Sequence, residues 1–398
     1  MKKNILVVFT LFIMAVSGVY SFACTTAVIS GKATPDGRPL LYKNRDTPSL
    51  HSRLIYSDKG KYTFIGMVNP NDIENKQVLN GHNSAGFAIM NSDSYNINSV
   101  ELKEDDRQDG EIMRLALETC ATLKDFENLL NSLPKPLKLS SNFGVIDANG
   151  GAAYYETGIN GFVKFDANNP QTAPFGYIIR TNYSFSGDVS KGKGYSRYLQ
   201  AQELIYNGSL SNSLTPKYFM QNISRSLVHG LTKTDLNQYK ETYAAFRDFI
   251  PRYYTASSVI FQGVKPGESP SLTTAWTVLG STLGSVTIPI WINGKKSFPK
   301  ILTADSKQNT PMDQWATQIK NKLFPIERGE GNDYIQVPLL LSVTPQLISI
   351  ENSIFDKSSE ILTQWYEKGK PNEQALQEFY SWIDSYVTLE YKNRFLNN

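Results

Sequence analysis

The sequence is poor in the residues that most often advertise chemistry. Two cysteines, Cys24 and Cys120, and three histidines, His51, His82 and His229, are all that 398 residues contain. The histidines stand at no ligand spacing with either cysteine, so the sequence proposes no metal site. It also has no glycine-rich phosphate loop and no internal repeat, and none of its motifs calls for a cofactor. Charge of one sign is missing too: 40 Lys and Arg stand against 37 Asp and Glu. That balance argues against nucleic acid or an anionic membrane as a partner, and the short basic stretch from Lys191 to Arg197 reads as a solvated, glycine-rich loop. Finally, no apolar run reaches the ~18 to 20 residues that span a bilayer.

The longest apolar run, Ile5 to about Val19, has another reading. Lys2 and Lys3 precede it, and Ser21 and Ala23 flank Phe22 after it, which is the layout of a secretory signal cut after Ala23. The exported chain would begin at Cys24, in the periplasm or outside a bacterial cell, with an α-amine beside a thiol. Lipoprotein maturation also ends at a cysteine, but Ser21 and Phe22 do not fit its preference for an aliphatic and a small residue. A lipidated, non-catalytic surface protein is the reading that this alternative leaves. A Cys24–Cys120 disulfide is a further alternative in an exported protein. Against it, Cys120 falls in a helical apolar pattern, Ile112, Leu115, Leu117, Ala121, Leu123, Phe126 and Leu130, where a free thiol packs as a small hydrophobe.

From Cys24 to about Asn182 the chain reads as short strands, CTTAVIS, LLYKN, GFAIMN, NFGVID, AAYYET and GYIIRTN, with helical patterns at 109–132 and 195–206. Strands return at 255–262, 272–279 and 285–293. The class is therefore α+β, built in layers. Near the end, Thr344 and Pro345 read as N-cap and first helical residue, and apolar residues at near-helical spacing give a helical hairpin over 344–396. The expected organisation is a leader (1–23), a main domain (24–340) and a C-terminal helical extension (341–398).

The first two strands and the turn-rich GKATPDGR between them form a hairpin. If Ser30 faces Pro39, Cys24 faces Arg45 and Asp46 lies beside the new N-terminus. An amine titrating near pH ~8 next to a thiol near ~8.5 can take the thiol's proton without extreme tuning. Base and nucleophile then share one residue, and a nearby carboxylate such as Asp46 would hold the amine. As a strand-end residue, Asp46 also has the plainer reading of a turn cap or a partner for Arg45.

CTTAVISGKATPDGRPLLYKNRD resembles the opening of the linear-amide N-terminal nucleophile hydrolases: choloylglycine (bile salt) hydrolases, penicillin V acylases, acid ceramidase and the isopenicillin-N acyltransferase group. NSAGFAIMN, NFGVIDANGGAAYYET, GFVKFDANNPQTAPFGYIIRTN, GYSRYLQAQEL and TTAWTVLGSTLGSVTIPIWIN follow in family order, covering roughly 24–295. The resemblance implies an αββα sandwich of two antiparallel sheets between helical layers. It places the family's asparagine near Asn91, its oxyanion-hole asparagine on Asn182 and its active-site arginine on Arg197. The bile salt branch has Arg-Asn-x-Asp where this chain has Lys43, Asn44, Arg45 and Asp46. Lys43 holds the matching position, and Arg45 competes with it as the cation facing the thiol and the substrate.

The resemblance thus implies an enzyme that cleaves linear carbon–nitrogen amide bonds of small N-acyl substrates through an acyl-enzyme on Cys24. Acyl transfer to an amine is the alternative outcome at the same site. The plentiful Tyr and Phe suit bile acids, phenylacetyl groups, acyl chains and acylated amino acids alike. Homo-oligomers occur in the bile salt branch, and no assembly motif is legible here.

Overall fold

A computed structural model of the chain describes residues 23–99, 102–103 and 106–396. The expected leader lies outside these residues apart from Ala23. In chain order the strands are β1 (Ala23–Ile29), β2 (Leu40–Asp46), β3 (Arg53–Ser57), β4 (Phe64–Val68), β5 (Val78–Asn83), β6 (Ala88–Asp93), β7 (Ser141–Ile146), β8 (Ala152–Gly158), β9 (Gly161–Asp166), β10 (Tyr177–Arg180), β11 (Tyr243–Ala245), β12 (Thr255–Gln262), β13 (Thr274–Leu279), β14 (Ile288–Trp291) and β15 (Tyr334–Gln336). The helices are α1 (Asp109–Thr119), α2 (Leu123–Ser132), α3 (Tyr195–Leu210), the single turn α4 (Pro216–Tyr218), α5 (Pro311–Leu323), α6 (Val337–Lys368) and α7 (Glu373–Tyr391).

Two antiparallel sheets stack face to face, ordered β10-β1-β2-β12-β13-β14 and β3-β4-β5-β6-β7-β8-β9. β1 and β2 lie against β6 and β7 across the interface. The two-residue period of a strand explains how one sheet serves two cores. On β7 and β8, Phe143, Val145, Ala153 and Tyr155 point to the core shared with α1 and α2, whereas Ile146, Ala152 and Tyr154 point between the sheets. Gly144 leaves room for side chains packed between the sheets: a Cβ there would lie 2.3 Å from Met90 Cε of its own sheet and 2.9 Å from Leu41 Cδ1 of the facing one. α3 covers the outer face of β1 and β10, and α5 that of β13, which completes four layers.

The helical stretch expected over 109–132 is two helices. Cys120 is extended (φ −95°, ψ 141°) and Thr122 starts α2 through a reciprocal capping box with Asp125. Both cysteines are free and buried, so no Cys24–Cys120 bridge forms. The C-terminal hairpin is present, but it begins earlier than Pro345. α6 starts at Val337, and its buried stripe of Val337, Leu340, Val343, Leu347, Ile350 and Ile354 runs straight past that proline. Burial of this stripe outweighs the hydrogen bond that an interior proline removes. The expected boundary at 340/341 therefore falls inside a helix. Gly369 (φ 68°) ends α6, and Asn372 caps α7 by accepting from Ala375 N. No helix among the described residues is long and apolar enough to cross a membrane.

Candidate active site

The β1–β2 register pairs Cys24 with Arg45, Thr26 with Lys43 and Ala23 with Asp46. Directly opposed residues share a face, so Cys24, Thr26, Lys43 and Arg45 project to one side of the sheet and Thr25, Asn44 and Asp46 to the other. The first side faces the second sheet. There the Tyr154 hydroxyl donates to Thr26 Oγ1 at 2.5 Å, and Lys43 Nζ donates to Leu79 O and to Asn91 Oδ1, both at 2.8 Å. On the other side α3 brings Arg197, whose guanidinium donates to Thr25 Oγ1 at 3.0 Å.

The nitrogen of Cys24 is held apart from the strand ladder. It donates to Asn182 Oδ1 at 2.8 Å, just beyond the last β1–β10 pair, Thr26 with Arg180. Arg197 donates to the Cys24 carbonyl oxygen and, through its second amino nitrogen, to Asn182 Oδ1 at 3.0 Å. Two donors on one oxygen fix which way the carboxamide points. Its nitrogen accordingly donates to Asp93 O at 3.0 Å. The role expected of Asn182 was to offer that nitrogen to a developing oxyanion; here the nitrogen is engaged with Asp93 and the oxygen with Cys24. Gly194 is what lets Arg197 reach in, since a Cβ on its left-handed backbone (φ +83°) would lie 2.4 Å from Arg197 Nη2.

A cavity of about 520 Å³ opens over the thiol. Cys24, Lys43, Arg45, Asp46 and Asn91 all line it, together with Asp93 and Asn69. Burial pushes the Cys24 thiol above its ordinary value, and Lys43 is the strongest charge pulling it back down. Burial likewise holds the Lys43 ammonium down to about 8, with the Cys24 sulfur the main influence resisting that shift. Arg45 is lowered by burial to about 10 and stays cationic at neutral pH. Both candidates for the thiol-facing cation are thus present: Lys43 dominates the thiol electrostatically, and Arg45 stands directly across the strand pair.

Asp46 sits at the cavity edge with its carboxylate fully committed. It accepts from Arg252 Nε at 2.9 Å, Thr255 Oγ1 at 2.7 Å and Asn44 Nδ2 at 3.2 Å. Asn91 is similarly occupied, receiving Lys43 and donating to Ser141 Oγ at 3.3 Å. The six other residues singled out in the sequence therefore gather around Cys24, four with it on the cavity and two behind its backbone. Asp93, Arg107, Asn69 and Arg252 were not anticipated. Asp93 was readable, standing two residues after Asn91 on one strand face, but Asn69 and Arg252 lie in loops without periodic signal. Among the described residues no three His, Cys, Asp or Glu side chains are grouped as metal ligands.

Residues 33–257 match the family described as acyl-coenzyme A:6-aminopenicillanic acid acyltransferase. The chain belongs to this family. The matched span contains Lys43, Arg45, Asp46, Asn91, Asn182 and Arg197 and begins beyond Cys24. Membership in this family makes the chain an enzyme of the acyltransferase type within the N-terminal nucleophile group. A search of curated protein sequences gives no match. Among solved structures, an N-acylethanolamine-hydrolyzing acid amidase ortholog from Caenorhabditis elegans is 14% identical over 62% of this chain and 93% of its own, with a TM-score of 0.41. A variant of the conjugated bile acid hydrolase from Clostridium perfringens is 12% identical over 68% and 93%, at 0.40. Penicillin V acylase from Agrobacterium tumefaciens is 12% identical over 68% and 86%, at 0.41.

Proposed function

We propose that this acyltransferase-family chain is an exported amidase whose nucleophile is Cys24 and whose substrates are small N-acyl amides. The observation that carries the reading is that the Cys24 nitrogen donates to Asn182 Oδ1, itself fixed by Arg197, which also holds the Cys24 carbonyl, while the sulfur faces a cation-lined cavity. In a chain that begins at Cys24 that nitrogen is an amine. It takes the thiol proton as sulfur attacks the amide carbon, and passes it to the departing amine when the C–N bond breaks. Water then gives a proton to the same amine and its hydroxide to the thioester, releasing the acid and restoring the thiol. Asn182 and Arg197 keep the amine oriented, Asp46 adds negative charge near it, and Lys43 favours the thiolate. The second N–H of Asn182, with the Lys43 and Asn91 side chains, would hold the intermediate's oxygen.

Acyl transfer to an amine is the second reading, favoured by the description of the matched family. Product analysis with and without an added amine separates the two, because a transferase yields the exchanged amide. The mechanism itself is tested by three chains assayed on a panel of N-acyl amides. Cys24→Ala and a chain keeping one extra residue before Cys24 are expected to fold like the parent and turn over nothing, the second because its base has become an amide. Cys120→Ala is expected to keep activity, since that thiol lies in the separate core under α1 and α2. Turnover by the extended chain, once mass spectrometry shows the extra residue still attached, would falsify the mechanism; diacylglycerol found on Cys24 of the exported protein would equally end it.

A further inference from the structure

Two cations are buried beside the thiol without a counter-ion. Lys43 and Arg45 are 2% and 5% exposed, and no carboxylate of the described residues lies within the 4.0 Å of an ion pair to either. The acids nearby are already taken: Asp93 and Asp109 by Arg107, at 2.6 and 2.7 Å, and Asp46 by Arg252 at 2.9 Å. Lys43 has the thiol as its natural partner, since sulfur and ammonium are each other's strongest electrostatic neighbours. Arg45 is drawn to the same sulfur and more weakly to Asp93 and Asp46, but one sulfur cannot neutralise two cations and neither carboxylate forms an ion pair with it. Its guanidinium spends one amino nitrogen on Asn69 Oδ1 at 2.8 Å and another on Ser52 Oγ at 3.4 Å, both neutral acceptors. The side chain borders the cavity on the same strand face as Cys24, and among the described residues Leu79 is the only aliphatic side chain around it. Burying a cation without a partner is unfavourable, a penalty that an anion of the right shape offsets. Guanidinium presents a planar fork that matches a carboxylate with two parallel hydrogen bonds.

We propose that Arg45 is an anion subsite, so that the amides this enzyme prefers carry a carboxylate within a few bonds of the scissile carbon–nitrogen bond. This rests on Cys24 being the nucleophile, because proximity to the sulfur is what places the carboxylate near the reacting amide. The polar wall argues the same way: a long hydrocarbon arm lying in this cavity would desolvate Lys43, Arg45, Asn69 and Asn91 without replacing their hydrogen bonds. The carboxylate can belong to the amine half, as in an N-acyl amino acid, or to the acyl half, as in a monoamide of a dicarboxylic acid. Arg45 recognises the same group in both.

Four amides separate the possibilities: N-butanoylglycine, its methyl ester, the N-propyl monoamide of succinic acid, and N-propylbutanamide. The parent enzyme should favour one of the two carboxylates at least tenfold in kcat/KM over its neutral counterpart, and which one identifies the half that carries the charge. Arg45→Gln should lose about 10- to 100-fold on the favoured carboxylate and several-fold less on the neutral partner, as expected for a lost hydrogen bond to a charged group. Arg45→Lys, which keeps the charge without the fork, should fall between them and guards against a fold defect in the glutamine variant. Equal rates on charged and neutral amides, or an equal loss on both in Arg45→Gln, would overturn the subsite and make Arg45 a second cation for the thiol. Should none of the four acylate Cys24, it is the nucleophile assignment that fails. The subsite is then read from calorimetric titration of N-butanoylglycine into Cys24→Ala, with binding that disappears in Cys24→Ala/Arg45→Gln supporting it and binding that persists refuting it.

Discussion

At the scale of single residues the thiol and the ammonium beside it are one titrating system. Lys43 is charged below about pH 8 and loses its proton as the pH rises through that value, so its help to the thiolate ends there. Lys43→Gln removes that help at every pH. The rate of Cys24 alkylation by iodoacetamide at pH 7 is expected to fall about tenfold, the effect of one unit in thiol pKa, and the rate–pH profile of the variant should shift to higher pH. His82 gives a different pH effect. It is buried in β5 against the Phe261 ring, 5.7 Å between centroids, with neither ring nitrogen bonded, and burial holds it down to about 4. Because its folded value lies below the ordinary 6.5, the unfolded chain takes up the proton first on acidification. Stability due to the neutral ring is complete above about pH 6.5 and is lost as the pH falls to about 4, a change of about 3 kcal/mol. Urea unfolding of the parent and of His82→Phe at pH 7 and pH 4.5 checks this, and a loss on acidification as large in the variant as in the parent would assign it to other groups. Much of the site was legible in the sequence because strand parity places residues: once Cys24 faces Arg45, Lys43 must share its face. What parity cannot give is the orientation of a carboxamide. Arg197 and the Cys24 nitrogen both need an acceptor, which turns the Asn182 oxygen inward and leaves one N–H of its amide for the oxyanion role the resemblance implies.

Among the elements, α6 adds one buried ion pair to the apolar stripe that docks it. Arg225 meets Glu351 with two hydrogen bonds of 2.8 and 2.9 Å, and Glu351 also accepts from Thr287 N and Oγ1, both at 2.7 Å. Arg225 further donates to the carbonyls of Met220, Thr282 and Ser285, so helix, sheet and loop meet at one cation. Glu351→Gln leaves that cation uncompensated and is expected to cost about 3 to 5 kcal/mol in urea unfolding, whereas Arg225→Met with Glu351→Leu should recover much of the loss. The pair was invisible in sequence, where Glu351 reads as an ordinary exposed helix residue. Legibility of the elements follows a similar line. β12 was expected at 255–262 and is found there, because TASSVIFQ is buried throughout and bounded by turns. β3, β4 and β5 are not legible in the sequence, and β5 shows why. Its VLNGHN lacks apolar alternation, since Asn83 spends its amide on the carbonyls of Leu117 and Cys120 under α1. α5 was also missed, although Thr310 caps it and Pro311 opens it, because only Met312, Ala316, Ile319 and Leu323 mark its buried stripe.

For the whole molecule, the C-terminal helices are part of the core. Trp276 of β13 stacks on Phe355 at 4.7 Å, and Trp291 of β14 meets Trp365 edge-on at 5.1 Å. Burying a large aromatic contributes about 1.5 to 3 kcal/mol, so exposing these four rings approaches the 5 to 15 kcal/mol that holds a typical domain together. A chain ending at Gln336 is expected to give little soluble protein and no near-ultraviolet circular dichroism; a cooperative melt from it would show the helices to be an appendage. The bond between Ala23 and Cys24 stands in contrast. Ala23 pairs only with Asp46, and the nitrogen that would become the terminus already rests on a side chain outside the ladder. Among the described residues, a chain beginning at Cys24 therefore gives up one strand-end pairing. On the proposed mechanism shape and reactivity then answer to different events: the surroundings of the Cys24 nitrogen are already built around an amide, and a single hydrolysis before Cys24 would turn it into an amine and supply the missing lone pair without asking any described atom to move far.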